Sequence, residues 1–352
     1  MSCLSVKSTI AEFRMKKQGY DPFIDYLKGL CIVFVIMNHC MPGKLMSYSA
    51  FFFWGVSAVP IFLMIQVFHA YKKGLDHQHI KWQRLWTKIF WPYLLSELVI
   101  LAYTIIASSD FHFSSIVGET VALVKSGGYG PGAYYPWIYL QFAILLPLIA
   151  PVFKSNPILL CIGFIVVSQA VETVCSLFGF PQLLYRLSFL RYIFLFYLGF
   201  LLSRNGFKLN LFTLSAAILC LAVSAYIEYS GNDFSPILYS FVNPLCHWFC
   251  YIYIAWLLLF LLRRLYDHSP HMGVITSFLM TAGKYSYEIF LFQMVYFMVG
   301  NNWLFQFLDE HFTNNALLAV LKTLIPVFLC TIPVITYKHL TNKQSIKHES
   351  NM

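Results

Sequence analysis

Long apolar runs alternate with short polar segments along the whole chain, and the length of these runs sets the fold class. A helix rises about 1.5 Å per residue, so about 20 apolar residues cross a hydrocarbon core about 30 Å thick. Runs of this kind recur throughout the sequence and predict a bundle of about ten transmembrane helices. The predicted spans are 23–42, 49–70, 86–107, 134–153, 157–178, 187–203, 210–228, 244–262, 275–299 and 315–337.

Composition agrees with this pattern. Hydrophobic residues make up 59% of the chain and charged residues 11%, whereas soluble domains carry about 25% charged residues. We therefore expect an all-α polytopic membrane protein with one transmembrane domain at 23–338, an N-terminal tail at 1–22 and a C-terminal tail at 339–352. The nine cysteines form no Cys-x-x-Cys pair, so we expect neither a disulfide framework nor a metal site.

The net charge of +9 is explained by membrane topology. If the N-terminus is cytoplasmic, most of the 24 lysines and arginines fall in inside segments, and the outside loops carry only Lys44, Lys125 and Arg186. The positive-inside rule then places both termini in the cytoplasm. We expect membrane lipids as partners and no nucleic acid, and the oligomeric state stays open.

The first span has few polar residues, and two of them lie on one face of the predicted helix. Lys28 and His39 are eleven residues apart, which is three turns plus about 20°, so both lie on one helical stripe about 16 Å apart. Asp25 is three residues before Lys28 and is placed to orient it. From the residues alone, His39 is equally a reactive base and a histidine satisfied by a neighbouring carbonyl. Cys40, a rival nucleophile, lies about 100° round the helix from this stripe.

The third span begins with two cations and contains a carboxylate. Arg84 and Lys88 are one turn apart on one face, so they either anchor to lipid phosphates or bind the phosphates of a substrate. Glu97 lies about 13 Å deeper than Lys88. A carboxylate at that depth is a candidate for a functional site.

Aromatic and glycine residues mark the entry to the fourth span. Trp137 and the tyrosines around it, Tyr134, Tyr135 and Tyr139, are either belt aromatics at the headgroups or a stacking platform for a sugar ring. The preceding GGYGPG sequence at 127–132 lacks the lysine of a phosphate-binding loop and is expected to be a flexible turn.

Other polar residues interrupt the later spans. Glu172, Arg191 and His247 are the exceptions in otherwise apolar helices, and Arg191 is close enough to the outer face to snorkel. In the ninth span, Lys284 and Glu288 are spaced to neutralise each other as an i,i+4 pair.

The last span contains a single lysine within its outer half, Lys322. No residue of opposite charge lies on its own helix within pairing distance. The sequence therefore leaves two alternatives, a side chain that snorkels to the outer interface and one paired across the bundle.

Three classes of function are compatible with this inventory. A transporter needs broken helices or repeated halves around a midplane site, and residues 1–175 show no self-similarity with 176–352. A structural membrane protein needs no buried ionisable groups. An intramembrane transferase needs a base at depth, cations at one face for a phosphorylated donor, and an opening towards an acceptor, and the first and third spans contain these parts.

Several stretches also carry a resemblance. They are FIDYLKGLCIVFVIMNHC, SAVPIFLMIQVFHAYKK, RLWTKIFWPYL, PWIYLQFAILLP and GKYSYEIFLFQM. Together they resemble the acyltransferase-3 family of integral membrane O-acyltransferases, whose first helix has a basic residue followed eleven positions later by histidine. The chain departs from that pattern at Lys28, where arginine is usual, and near Gln293, where histidine or another polar residue is frequent. Lysine keeps the charge but lacks the bidentate fork of arginine.

The resemblance implies acyl transfer from cytoplasmic acyl-CoA, most simply acetyl-CoA, to a hydroxyl of a glycan or glycolipid at a bacterial-type plasma membrane. His39 would be the catalytic base or acyl carrier, and Lys28, Arg84 and Lys88 would bind the donor. No cofactor would be bound, because acyl-CoA is a co-substrate. Supporting or acceptor-binding roles fall to Asp25, Glu97, Trp137, Arg191, Lys284 and Glu288. The alternatives are an exporter of a glycan or lipid-linked sugar and a non-catalytic polysaccharide assembly protein.

Overall fold

The protein is helical throughout the part of the chain described by its computed structural model. The described residues are 21–72, 80–108, 112–149, 152–153, 157–230, 247–268 and 273–349, and no β-strand occurs in them. The predicted all-α class is therefore confirmed. The predicted N-terminal tail at 1–22 lies almost entirely outside the described residues.

The main helices of the described residues are separated by connections of unequal length. In chain order they are α1 (Pro22–Cys40), α2 (Ala58–Lys72), α3 (Trp82–Ser108), α4 (Phe113–Ser126), α5 (Tyr135–Ile149), α6 (Pro157–Leu177), α7 (Gln182–Leu187), α8 (Phe194–Asn205), α9 (Leu211–Ser230), α10 (Trp248–His268), α11 (Gly273–Lys284), α12 (Ser286–Val299), α13 (Asn301–His311) and α14 (Asn315–Glu349).

Within the described residues, seven helices are long and apolar enough to cross a membrane, namely α1, α2 together with the helical turn Phe51–Trp54 before it, α3, α6, α9, α10 and α14. The shorter apolar helices α5 and α12 add to this set, so the chain is a multi-pass helical bundle. The predicted count of ten spans is not confirmed. The predicted span at 187–203, for example, is a 3-10 turn at Phe189–Tyr192 followed by the 12-residue helix α8.

Helix α1 has a well-defined start. The Asp21 carboxylate accepts a hydrogen bond from the backbone N–H of Phe23 at 3.1 Å, and Pro22 occupies the first turn, where its missing N–H costs nothing. The same carboxylate pairs with Arg263 of α10 at 2.7 Å. This pairing fixes the first turn of α1 against the end of α10, and with it the positions of Asp25 and Lys28.

Helices α1 and α11 pack at backbone distance. A Cβ added at Gly29 would collide with the carbonyl oxygen of Leu279, and one added at Gly283 would collide with the carbonyl oxygen of Asp25. Small residues at both positions allow this approach, as in other membrane helix pairs. Because the higher residue number on α1 meets the lower number on α11, the two helices are antiparallel.

The predicted ninth span, 275–299, is wrong as a single helix. The chain breaks at Tyr285, which separates α11 from α12. Helix α12 runs in the same direction as α1, because Glu288 lies near Lys28 at one end and the Phe297 ring contacts His39 at the other. Two helices of opposite direction therefore replace one long span.

This break changes the ion pairs expected in the region. Glu288 pairs with Lys338 of α14 at 2.8 Å, and Lys284 is exposed, so the predicted Lys284–Glu288 pair does not form. Of the two alternatives for Lys322, pairing is the one observed, since its ammonium lies 2.7 Å from the carboxylate of Asp309.

Helix α3 widens just before a proline. Residues Trp86–Phe90 form a π-helical turn, and Pro92, which has no N–H to donate, follows it. The Tyr287 hydroxyl of α12 donates to the Ile89 carbonyl in this turn at 2.6 Å. The turn therefore joins α3 to α12 at the level of Lys88.

The bundle has two distinct ends. We name the end with Lys28, Arg84 and Lys88 the basic end, and the end with His39 the far end. Helix α14 reaches both ends, because Thr323 lies against Cys40 and Lys338 against Glu288. It continues as a helix to Glu349, so most of the predicted tail at 339–352 is helical.

Candidate active site

A cavity of about 1350 Å³ opens at the basic end and follows one face of α1 into the bundle. On α1 it is lined by Ile24, Asp25, Lys28 and Val35. We name it the basic cavity. The part of the α1 stripe from Ile24 to Val35 therefore faces an open space.

Five cationic side chains line the basic cavity, namely Lys28, Lys72, Lys81, Arg84 and Lys88. Arg84 and Lys88 thus share a cavity, as their one-turn spacing predicts. Lys72 and Lys81 complete the set, and the sequence identified them only as topological charges. A count of local charge in the predicted inside loop would have been the signal for them.

The carboxylates of the basic cavity are already paired. Asp25 pairs with Lys28 at 2.5 Å, and the other two acidic groups take partners from α10 and α14, as described for Asp21 and Glu288. In the described part of the chain, no carboxylate lies within ion-pair distance of Lys72, Lys81, Arg84 or Lys88. The cavity mouth therefore holds an excess of positive charge that can bind an anion.

The inner end of the basic cavity has an apolar and aromatic lining. It is lined by Val35, Val59, Phe62, Tyr135 and Phe290, so charged groups give way to apolar and aromatic side chains. A polyanionic group is stable at the mouth of such a cavity, and a thin uncharged chain is stable at its inner end.

His39 lies one turn beyond the inner end of this cavity. It follows Val35 by four residues on the same stripe, which is about 6 Å further along the helix. Its ring is exposed and packs edge-on against Phe297, with ring centroids 5.9 Å apart. The structure therefore places His39 outside the lining of the cavity but directly in line with it.

Cys40 is turned away from the stripe. Its buried thiol donates to the Ile36 carbonyl at 3.2 Å and lies 3.6 Å from the Thr323 carbonyl of α14. A thiol engaged on that side of α1 does not reach the basic cavity. This position agrees with the sequence, which places Cys40 about 100° round the helix from the stripe.

The glycine-rich loop, residues 127–133, is packed into the far end of the bundle. The Glu97 carboxylate, only 2% exposed, accepts the backbone N–H of Tyr129 at 2.7 Å. The Tyr129 hydroxyl donates to the Glu119 carboxylate at 2.6 Å. Burial and that carboxylate raise the pKa of Tyr129 to about 12, so its hydroxyl remains a donor at neutral pH. The expected flexible turn is therefore a fixed structural element.

Further contacts hold both ends of the same loop. The Gly127 carbonyl accepts from the Tyr93 hydroxyl at 2.7 Å and from the Trp137 indole N–H at 2.8 Å. The Gln293 amide donates to the Pro131 carbonyl at 3.0 Å. Trp137 and Gln293 therefore both donate hydrogen bonds to backbone carbonyls of the loop. Four glycines of the loop have positive φ values between 72° and 119°. Such values are accessible to glycine without strain.

Replacement of Glu97 by alanine is expected to loosen this loop. The part-buried N–H of Tyr129 would lose its acceptor, at a cost of about 1–3 kcal/mol, so amide hydrogen exchange at 127–133 should accelerate by about 5–150-fold. Glu310→Ala removes an exposed carboxylate of α13 whose hydrogen-bond partner is Gln306 of the same helix, and serves as the control. Unchanged exchange in Glu97→Ala would show that Glu97 does not hold the loop.

Arg191 lies in a second, separate group at the far end. It is buried in the turn between α7 and α8, and its guanidinium stacks over Tyr185 at 5.6 Å and over Tyr192 at 5.1 Å. This burial argues against simple snorkelling. Glu172 and His247, noted in the sequence as polar exceptions, form a buried pair at 2.5 Å.

The predicted site residues therefore fall into two groups. The basic cavity gathers Lys28, Arg84 and Lys88 with Asp25 and Glu288. His39, Glu97, Trp137 and Arg191 lie at the far end, and exposed Lys284 lines neither cavity described for the protein. Arg186, which the sequence analysis counted only as an outside charge, is at the far end as well, with its guanidinium 5.6 Å from the Tyr134 ring centroid.

The match to a known family includes both groups of predicted site residues. A family model described as an acyltransferase domain, that of the acyltransferase-3 family, matches residues 21–335. No curated protein and no solved structure matches the chain. The matched range begins at the cap of α1 and ends within α14, so it includes the basic cavity, His39 and the glycine-rich loop. The chain belongs to the acyltransferase-3 family and is a multi-pass membrane acyltransferase.

Proposed function

We propose that the protein transfers an acyl group, most simply acetyl, from cytoplasmic acyl-CoA to a hydroxyl of a glycan or glycolipid. The observation that carries this proposal is the group of cations, four of them without a carboxylate partner among the described residues, at the mouth of a cavity that leads along α1 towards His39. Among acyl donors, acyl-CoA combines a polyanionic head with a long thin arm. That shape matches a charged mouth followed by an apolar inner end.

The head of the donor would bind at the basic end. Phosphate groups make strong charge-assisted hydrogen bonds to arginine and lysine, and Arg84 and Lys88 face the cavity without a carboxylate partner among the described residues. CoA phosphates cannot enter hydrocarbon, so this end would face the cytoplasm. The positive-inside rule supports the same orientation.

The arm of the donor would lie along α1. The cavity ends at Val35, and His39 is one helical turn further on, about 6 Å along the axis. A pantetheine arm that fills the cavity would bring its thioester to this level. The acceptor would approach His39 from the far end, where the ring is exposed.

At His39 the proposed reaction is general base catalysis. The neutral imidazole takes the proton of the acceptor hydroxyl while the hydroxyl oxygen attacks the thioester carbonyl. A new C–O bond forms and the C–S bond breaks. The CoA thiolate leaves and takes the proton from the His39 imidazolium. Direct attack by His39 to carry the acyl group is the second route that the same position allows.

Removal of Arg84 or Lys88 is expected to weaken donor binding. A lost charge-assisted hydrogen bond costs about 1.5–3 kcal/mol, so the KM for acetyl-CoA should rise about 10–100-fold in Arg84→Ala, with a smaller change in kcat. The measurement is initial rate against acetyl-CoA concentration with purified protein. Lys208→Ala removes an exposed cation outside the basic cavity and should leave KM unchanged. Equal KM values for wild type, Arg84→Ala and Lys88→Ala would contradict this donor site.

Variants of Lys28 test how lysine, in place of the arginine usual in the family, affects donor binding. Its ammonium already pairs with Asp25 at 2.5 Å, so it brings less free charge to a phosphate than Arg84 does. Lys28→Arg restores the bidentate fork and is expected to lower the KM for acetyl-CoA, whereas Lys28→Ala raises it. A KM in Lys28→Ala no higher than that of the wild type would contradict a role of this lysine in donor binding.

A further inference from the structure

One face of α5 lines the basic cavity from its inner end towards the basic end. Tyr135, Tyr139, Ala143 and Pro147 all contribute to the lining, and their four-residue spacing places them on one stripe of the helix. The stripe extends over about 18 Å, at about 1.5 Å per residue. Helix α5 begins where the glycine-rich loop ends, at the far end of the bundle, so Tyr135 lies deepest in the cavity and Pro147 nearest the basic end.

Two tyrosine hydroxyls on this stripe have no hydrogen-bond partner among the described residues. They belong to Tyr135 and Tyr139, and neither hydroxyl oxygen is enclosed by protein. Tyr287 lines the same cavity, but its hydroxyl is already bound to the Ile89 carbonyl. Tyr135 is only 8% exposed, and a side chain so buried normally has its polar atom hydrogen-bonded. The two hydroxyls of α5 are therefore available to a ligand that enters the cavity.

Packing fixes the positions of both tyrosines. The Tyr135 ring packs edge-on against Phe290, with centroids 5.4 Å apart, and lies 5.9 Å from the Phe62 ring. The Tyr139 ring lies 6.2 Å from the Tyr135 ring, and the Tyr139 carbonyl accepts from the Gln66 amide of α2 at 3.0 Å. Two hydrogen-bond donors one helical turn apart, about 6 Å along the axis, are thus held in a fixed arrangement beside the cavity.

The spacing of these donors suits a chain that contains two amide groups. The pantetheine arm of CoA has two amides joined through a β-alanine unit. An α-amino acid separates successive amides by about 3.8 Å, and the additional methylene of β-alanine brings this to about 5 Å, close to one helical turn. An amide carbonyl that leaves water needs a new donor, because an unpaired polar group is costly in an apolar site.

We propose that Tyr139 and Tyr135 bind the two amide carbonyls of the pantetheine arm, so that the protein recognises its donor by the arm as well as by the phosphorylated head. This inference rests on the proposed function and names two specificity-determining residues of the donor site. With the head at the basic end, Tyr139 binds the amide nearer the head and Tyr135 the amide nearer the thioester. The thioester then continues along α1 towards His39.

Two contacts on one helix also determine how the donor is selected. They fix how far the arm enters the cavity, and with it the level that the thioester reaches on α1. An acyl phosphate has an anionic group but no amide, so it would leave both hydroxyls without a partner. The pair of tyrosines therefore favours thioesters carried on a pantetheine arm over acyl donors that have only a phosphate.

The test is equilibrium binding to purified protein of CoA and of adenosine 3′,5′-bisphosphate, which has the adenosine and two phosphates but no arm. The wild type should bind CoA about tenfold or more tightly, as two neutral hydrogen bonds allow. Tyr135→Phe and Tyr139→Phe keep the rings and remove the hydroxyls. Each should weaken CoA binding about 2–12-fold, and the double variant about 5–150-fold. Binding of the bisphosphate should not change.

Two further variants separate this proposal from the proposed function. Tyr197→Phe removes the hydroxyl of a similarly buried tyrosine that lines neither cavity, and it should keep the preference for CoA. His39→Ala should also keep this preference, even if transfer is lost, because binding of the arm does not need the base. The proposal would be overturned by equal affinity of the wild type for both probes or by no binding of CoA. In the double variant, an undiminished preference for CoA, or an equal loss of affinity for both probes, would also overturn it.

Discussion

Replacement of His39 by alanine is expected to reduce acyl transfer by at least about 100-fold, because general base catalysis contributes about 10²–10⁴-fold. His39 is the only titratable residue on the α1 stripe beyond the inner end of the basic cavity in the described structure. The measurement is transfer of radiolabelled acetyl groups from acetyl-CoA to glycan in membrane vesicles. The KM for acetyl-CoA should change little, because the donor head binds at the other end.

Two companion variants distinguish chemistry from packing at this position. His39→Gln keeps a polar side chain of similar length but has no base, so it should be as inactive as His39→Ala. Cys40→Ala changes the adjacent residue on the side facing α14 and should retain most of the activity. Equal labelling by wild type and His39→Ala would refute the catalytic assignment. Full acylation with loss of surface polymer would favour the alternative of an exporter.

The second large effect is expected at the contact between α1 and α11. Gly29→Ala places a methyl group against the Leu279 carbonyl, and relief of such a collision costs about 1–3 kcal/mol. The helices must separate or tilt, which also displaces Asp25 and Lys28 at the entrance of the basic cavity. We expect a lower thermal unfolding temperature of the purified protein and a higher KM for acetyl-CoA.

A glycine in open space is the control for this contact. A Cβ at Gly163 of α6 would meet no atom within 4 Å, and alanine has the higher helix propensity. Gly163→Ala should therefore leave stability unchanged or slightly higher. If Gly29→Ala were as stable as Gly163→Ala, the close packing of α1 and α11 would not be a feature of the folded protein.

Much of the fold and the stripe of α1 could be predicted from sequence because both depend on local periodicity. Apolar run length predicts membrane helices, and the eleven-residue spacing of Lys28 and His39 fixes their relative angle on one helix. The one-turn spacing of Arg84 and Lys88 works in the same way. These predictions need no knowledge of which helices are neighbours.

The break at Tyr285 could not be predicted in this way. Hydropathy shows how apolar a run is but not its direction, and no proline marks the point where α11 ends and α12 begins. The contacts of Gly29 and Gly283 with the backbone of a partner helix accompany this break, and such contacts are a long-range property. The Glu288–Lys338 pair could not be predicted for the same reason, because its two residues lie on different helices.

The fixed glycine-rich loop illustrates a second limit. Glycines with positive φ are frequent in flexible turns and in tightly held ones alike. The difference lies in distant partners such as Glu97 and Gln293, whose contacts with the loop join segments far apart in the chain. Buried polar residues in apolar helices were the available signal, but a sequence does not show what they contact.

The most direct test of the account is the sidedness of the reaction. Membrane vesicles of both orientations would hold acceptor glycan inside, and radiolabelled acetyl-CoA, which does not cross the bilayer, would be added outside. If the donor enters at the basic end and the acyl group leaves at His39, only inside-out vesicles, with the basic end facing the medium, will label the trapped glycan. Labelling confined to right-side-out vesicles would contradict the account.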